Sequence, residues 1–225
     1  MQNLGNLFCS VSFLHISLRS VMKEKIIHTA TDLFLKLGFK SVTMDDIATE
    51  MGISKKTIYS HFKNKTSLVK QCAFSVMETI TKGIDNICAQ DKNPIDELFD
   101  IKKFVMHELK DDQYSPQFQL EKYYPEINKQ LYKAHFDKMM ETTTTNIKKG
   151  ISQGLYREKL DADFISRVYF MGINGLKDQA LFSPHIYSSN YIADEYLEYH
   201  LRGIVTEKGL LTLRKFIKEN QSDDQ

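Results

Sequence analysis

A chain of 225 residues that is 42% hydrophobic and 26% charged has an ordinary globular profile, with room for one sizeable core or two modest ones. Cys9, Cys72 and Cys88 are odd in number and lack a C-x-x-C spacing, so they point to neither a disulfide framework nor a zinc site, and a reducing cytoplasm is the expected home. The net charge of +1 hides a division: residues 1–72 carry ten Lys and Arg against five acids, about +5, and the rest comes to about −4, a polarity that steers the N-terminal end toward a polyanion.

Residues 1–21, MQNLGNLFCSVSFLHISLRSV, hold a broken apolar run from Leu7 to Leu18. It lacks a basic n-region and an A-x-A-like cleavage site and is too short to span a bilayer, so it reads as neither a targeting signal nor a membrane anchor. Met22 stands one residue before the first helical stripe, and the expectation is that translation starts there, with 1–21 a disordered leader or start-site artefact. The alternative is an N-terminal extension of the first helix. From Lys23 to Leu37, Ile26, Ile27, Ala30, Leu33, Phe34 and Leu37 form one apolar stripe that Gly38 stops.

The next stretch, TMDDIATEMGISKKTIYSHFKNK from Thr43 to Lys65, organises the chain. Ile47, Ala48 and Met51 make one face of a short helix apolar, Thr43 supplies an N-cap hydroxyl, and Asp45 and Asp46 fall in the first turn. Gly52 ends that helix where a left-handed residue costs least, and Ser54 can cap a second helix from Lys55 to Phe62. Ile58 and Phe62 hold the second helix down. Its other face presents Lys55, Lys56, Thr57, Tyr59 and His61, all hydrogen-bond donors and none an acid. Two short helices joined by a tight glycine turn, the second rich in donors, predict a helix-turn-helix with a C-terminal recognition helix.

The motifs A-x-x-L-F-x-x-x-G-F (Ala30–Phe39), T-x-x-x-I-A (Thr43–Ala48), G-I-S-x-x-T-I-Y-x-H-F (Gly52–Phe62) and K-x-x-L (Lys65–Leu68) resemble the DNA-binding domain of the TetR family of transcriptional repressors. The resemblance covers about the first quarter of the chain. It implies an all-α homodimer, with a three-helix helix-turn-helix domain for DNA at 22–68 and a larger helical ligand-binding and dimerisation domain at 69–220, followed by a solvated tail at 221–225. Carried over position by position, it assigns phosphate contacts to Thr43, Tyr59, His61 and Lys65. Lys55, Lys56 and Thr57 lie in the first turn of the recognition helix, the part that enters the major groove, and are the base-reading candidates. Family members often have a smaller residue where Lys56 stands, which leaves this side chain open to a base or a phosphate.

Beyond the motif, Leu68, Val69, Cys72, Ala73, Val76, Ile80, Ile84 and Ile87 predict a longer helix from Lys65 to about Ala89, capped by Asn64 and free of Pro or Gly from Lys65 to Lys82. A turn at 91–94 precedes a helix ending near Lys110 and Asp111, then a short piece from Pro116 to Tyr124. Pro125 opens a long helix that Gly154 closes, with a local bend expected at Thr142 to Thr145. The last helical regions are Asp161 to Phe182 and Tyr191 to Ile217, the second broken between Gly203 and Gly209. Their two apolar stripes can close one monomer's core or form a four-helix interface with a second copy. The interface is favoured, because one recognition helix reads too few base pairs and a two-fold dimer reads two half-sites. Asn174, Asp178 and Gln179 fit either a pocket or a dimer contact.

The expected function is therefore a DNA-binding regulator, most simply a repressor that binds a palindromic double-stranded operator as a homodimer and is released by a small apolar or aromatic inducer. No cofactor and no metal are expected, and no catalytic residues: no P-loop, G-x-S-x-G, H-E-x-x-H or Rossmann glycine pattern is present in the sequence.

Overall fold

The computed structural model describes residues 5–109 and 116–220, which form ten helices and, among the described residues, no strands. They are α1 (Gly5–Leu37), α2 (Met44–Glu50), α3 (Lys55–Tyr59), α4 (Lys65–Cys88), α5 (Pro94–Glu108), α6 (Pro116–Tyr123), α7 (Pro125–Ser152), α8 (Ala162–Gly175), α9 (Ser189–Ile204) and α10 (Glu207–Asn220). The all-α expectation holds. The expected ends near Lys110 and Asp111, the first four residues and the tail at 221–225 lie outside the described residues.

Two compact units divide the chain, the first being Met1–Val76 with Pro116–Ile127 and the second Met77–Ser115 with Asn128–Gln225. The expected boundary after residue 68 thus moves into α4, and the first unit gains a segment from much later in the sequence.

In the first unit, α1 runs 33 residues, from Gly5 to Leu37. Residues 5–21, expected as a disordered leader, are helical and continuous with the helix that follows. The physical reason is local: no Pro and no Gly occurs between Gly5 and Gly38, so nothing ends the helix once it has started. Gly38 ends it, with φ +85° and its N–H bonded to the Phe34 carbonyl at 2.9 Å. Ile26, Ala30, Phe34, Val42, Ile47, Ile58, Phe62, Leu68, Val69 and Cys72 are all buried to 3% exposure or less and form one core. The later segment packs here too. Leu120 and Ile127 are buried, the Tyr124 ring meets Phe39 edge-on at 6.3 Å, and Gln119 Oε1 accepts from the Lys40 N–H at 3.1 Å.

The second unit is built around Ile95, Leu98, Phe99, Leu155, Tyr156, Tyr169, Leu197, Leu201, Ile204 and Leu213, with Phe99 stacked on Phe216 at 4.4 Å. A buried polar cluster fastens α5 to α7. Asn146 Nδ2 donates to Glu97 Oε1 at 2.7 Å and to the Pro94 carbonyl at 2.9 Å, while the Tyr156 hydroxyl donates to Asn146 Oδ1 at 3.1 Å and Lys149 bonds Glu97 Oε2 at 3.1 Å. Each buried polar atom of the cluster named here has a partner, so it specifies the packing without leaving an orphan charge.

The structure differs from the sequence expectation at several helix ends. α7 is assigned without interruption through Thr142–Thr145, because Thr143 is buried in the packing and Thr144 Oγ1 sits 3.1 Å from Ser166 Oγ on α8. α8 stops at Gly175 rather than near Phe182. α9 starts two residues earlier than expected, because Ser188 accepts from the Tyr191 N–H and caps it. The expected break between Gly203 and Gly209 is real: α9 and α10 part at 205–206, where Arg157 N–H bonds the Ile204 carbonyl and Thr206 N–H the Leu155 carbonyl, each at 2.9 Å.

Candidate nucleic-acid interface

The helix pair of the first unit is fixed by caps at both starts and a glycine between. Thr43 Oγ1 accepts from the Asp46 N–H at 3.1 Å, and Asp46 Oδ2 accepts from the Thr43 N–H at 2.7 Å, a reciprocal capping box. The same carboxylate takes the Thr43 hydroxyl proton at 2.8 Å. The Thr43 backbone and side-chain hydrogen bonds, with a smaller contribution from the Lys65 charge, hold the Asp46 carboxyl below its usual range. At the turn, Gly52 takes φ +62° and the Ile53 N–H returns to the Ala48 carbonyl at 3.0 Å, which sends the chain into α3.

α3 is shorter than expected. It spans Lys55–Tyr59, and the chain then turns through 60–62 with the Phe62 N–H on the Ile58 carbonyl at 3.0 Å. Ser60 Oγ donates to the Thr57 carbonyl at 2.7 Å, a local bond that competes with continuation of the helix. At the start, Ser54 Oγ accepts from the Thr57 N–H at 3.1 Å. Ile58, wholly buried, and Phe62, 3% exposed, pin the helix to the unit.

The seven expected contact residues fall into two groups. Lys56 and Tyr59 are exposed, Tyr59 at 45%, and are presented outward beside half-buried Thr57 and His61. Burial, reinforced by the Arg19 and Lys23 charges, lowers the His61 pKa from its usual 6.5 and so disfavours the charged ring. The Thr57 hydroxyl lies 2.9 Å from Ser54 Oγ, and the other three are likewise engaged within the protein. Lys55 Nζ bonds Asp45 Oδ2 at 2.8 Å in an exposed pair that raises the lysine pKa. Thr43 is committed to the capping box. Lys65 Nζ donates to the Lys40 carbonyl at 3.3 Å and lies 5.9 Å from the Phe34 ring centre; burial pulls its pKa down against the opposing Asp46 charge.

Sequence reasoning gave no role to two residues that the structure brings to this face. Arg19 Nη2 donates to the Ser60 carbonyl at 3.1 Å, at the end of α3, and Lys23, one helical turn along α1, places its ammonium 6.0 Å from the Phe62 ring centre. The signal was available: two cations four residues apart on a stretch with no helix breaker. The exposed apolar side chains of the second unit form a separate feature. Phe164, Val168 and Met171 repeat at i, i+4 and i+7 along α8, and Tyr191 and Tyr199 stand out from α9. Asn174 donates to the Phe170 carbonyl at 2.8 Å while its Oδ1 is buried without a partner, and Asp178 accepts from the Ala180 N–H, in a turn, at 2.9 Å.

Residues 26–72 match the family of bacterial regulatory proteins called the tetR family. A negative transcriptional regulator of the biofilm operon icaADBC, IcaR from Staphylococcus aureus (strain Newman), is 40% identical over 62 residues, covering 26% of this chain and 33% of that regulator. The chain therefore aligns with about a third of that curated relative's length. The fold reaches further: a TetR-family transcriptional regulator from Agrobacterium tumefaciens superposes with a TM-score of 0.66 over 84% of this chain and all of that one, at 19% identity. The triclosan complex of SmeT, a protein from Stenotrophomonas maltophilia described as the repressor of the multidrug efflux pump SmeDEF, superposes with a TM-score of 0.61 over 83% of this chain and 93% of that one, at 15% identity. Residues 26–72 thus match the tetR family's N-terminal domain, and the chain as a whole shares the fold of TetR-family regulators.

Proposed function

We propose that the protein is a sequence-specific DNA-binding repressor that occupies a palindromic operator as a homodimer and leaves it when a small apolar or aromatic molecule binds the second unit. The observation that carries this reading is α3: a short helix capped by Ser54, pinned by Ile58, and presenting Lys56, Thr57 and Tyr59 outward. In the proposed complex its first turn enters the major groove. Lys56 and Thr57 read base edges there, and Tyr59 and His61 donate to flanking phosphates. Lys55 joins them by exchanging Asp45 for the DNA, a swap that costs little because the pair is exposed. Thr43 and Lys65 present their backbone turn to phosphates and act chiefly by holding the helix pair in place.

The two-fold partner covers Phe164, Val168 and Met171 of α8 together with Tyr191 and Tyr199 of α9, large apolar side chains left exposed in the single chain. The names of the relatives support repression and a small-molecule signal, since IcaR is a negative regulator and SmeT a repressor seen with triclosan. No helix among the described residues is long and apolar enough to cross a membrane, and the proposed place of action is the cytoplasm, where the DNA is. Selection of random duplex DNA on the purified full chain tests the reading. Enrichment of an inverted repeat is expected; recovery of unenriched sequence overturns it.

A further inference from the structure

We propose that Arg19 and Lys23 of α1 form an additional phosphate-binding arm at the C-terminal end of the recognition helix, gripping the DNA backbone beside the groove that α3 reads. The inference rests on the DNA-binding function proposed above and adds a contact surface to it. Arg19 is exposed and helical, and one of its terminal nitrogens, Nη2, is anchored to the Ser60 carbonyl at 3.1 Å. A guanidinium carries five N–H donors in a rigid fork, so this single bond fixes the group in position while the rest of the fork can take a phosphate oxygen pair. Lys23 lies on the same face of α1, about 6 Å further along the helix axis at 1.5 Å per residue, and its ammonium stands 6.0 Å from the Phe62 ring centre.

The Arg19 and Lys23 charges reach His61, so α1 adds positive charge to the corner beside the exposed Lys56 of the recognition helix. Residues 5–18 contain no Lys or Arg, which makes Arg19 the first cation of α1 and concentrates the charge at the turn nearest α3. Of the acids near this turn, Asp45 is paired with Lys55, while Glu24 accepts from the neutral Ser20 hydroxyl at 3.2 Å and keeps its charge, so Arg19 and Lys23 together leave one net positive charge here. The occupant that fits two cations of fixed spacing beside a major-groove helix is the duplex backbone.

The test compares wild type, Arg19→Ala, Arg19→Gln and Arg19→Lys in the full chain, measuring affinity by fluorescence anisotropy against salt on the selected duplex and on a scrambled one. A phosphate contact contributes about 0.9 to the slope of log affinity against log salt, so raising salt from about 50 to about 200 mM should shrink the wild-type advantage over Arg19→Ala roughly 3.5-fold. The expected result is a slope reduced by about one in Arg19→Ala and Arg19→Gln, an equal proportional loss on both duplexes, and a slope kept by Arg19→Lys. An unchanged slope in all variants, or a loss confined to the selected duplex, overturns the proposal and leaves Arg19 as a brace for the α3 terminus. Failure of wild type to bind any DNA instead overturns the function on which it rests.

Discussion

Gly38→Ala probes the least expected feature of the first unit, the packing of α6 against the corner between α1 and α2. Gly38 sits at φ +85°, and its missing Cβ would fall 2.3 Å from Gln119 Nε2. A side chain in the left-handed region costs about 1–2 kcal/mol. Gln119 is a flexible side chain and can withdraw, but withdrawal breaks its bond from the Lys40 N–H, worth about 1 kcal/mol. Together the substitution should cost about 2–3 kcal/mol, or a fall in Tm of roughly 4–12 °C for a chain of this size. Thermal unfolding by circular dichroism reads the total. The double variant Gly38→Ala/Gln119→Ala separates the two parts, since on the Gln119→Ala background only the backbone cost of about 1–2 kcal/mol should remain. A Gly38→Ala cost below about 0.5 kcal/mol, or one that Gln119→Ala does not reduce, would refute the reasoning and detach α6 from the DNA-binding unit.

Ile58→Ala, which empties a wholly buried position under the recognition helix, should destabilise the first unit by about 2–5 kcal/mol and weaken DNA binding, read by urea unfolding and anisotropy. Burial pushes the His135 and His200 pKa values from 6.5 down to about 4, with the Lys177 charge adding to the effect at His135. Between those values the unfolded chain binds protons that the folded chain refuses. The stability contribution is therefore complete above pH 6.5, falls as pH drops toward 4, and changes no further below it, amounting to as much as about 3 kcal/mol per histidine; His200→Phe should flatten the slope measured across that window by unfolding at stepped pH. If the proposed dimer forms through the exposed α8 face, Phe164→Glu and Met171→Glu should leave the protein monomeric in sedimentation where wild type is dimeric, with a matching loss of affinity for a palindrome; a sedimentation coefficient unchanged from wild type would contradict this contact.

The parts of the fold legible in the sequence were those written in local chemistry. Thr43, Asp46, Gly52 and Ser54 announce their caps and turn within a few residues, and the structure uses each of them as expected. Elements decided by distant partners were not legible. Nothing near Pro116 says that Gln119 and Tyr124 pack on Lys40 and Phe39, because the complementarity lies some eighty residues away in sequence. The threonines of α7 read as a weak point by propensity, and tertiary packing on Thr143 overrides that preference. At the candidate site, residue type identified the donors on α3, but their intramolecular partners were invisible. Lys55 and Lys65 look like free cations in sequence and are held by Asp45 and the Lys40 carbonyl in the structure. Arg19 was set aside with an apolar leader, although the absence of any helix breaker carries α1 through it to Ser60.

The central claim, that two copies read a symmetric operator, is tested most directly by titrating the protein against three duplexes at one salt concentration: the selected palindrome, a single half-site and a scrambled sequence. Two chains per palindrome are predicted, with affinity for it at least about a thousandfold above the scrambled duplex and the half-site far weaker than the whole. Equal affinity for all three duplexes, or one chain bound per palindrome, would contradict the account.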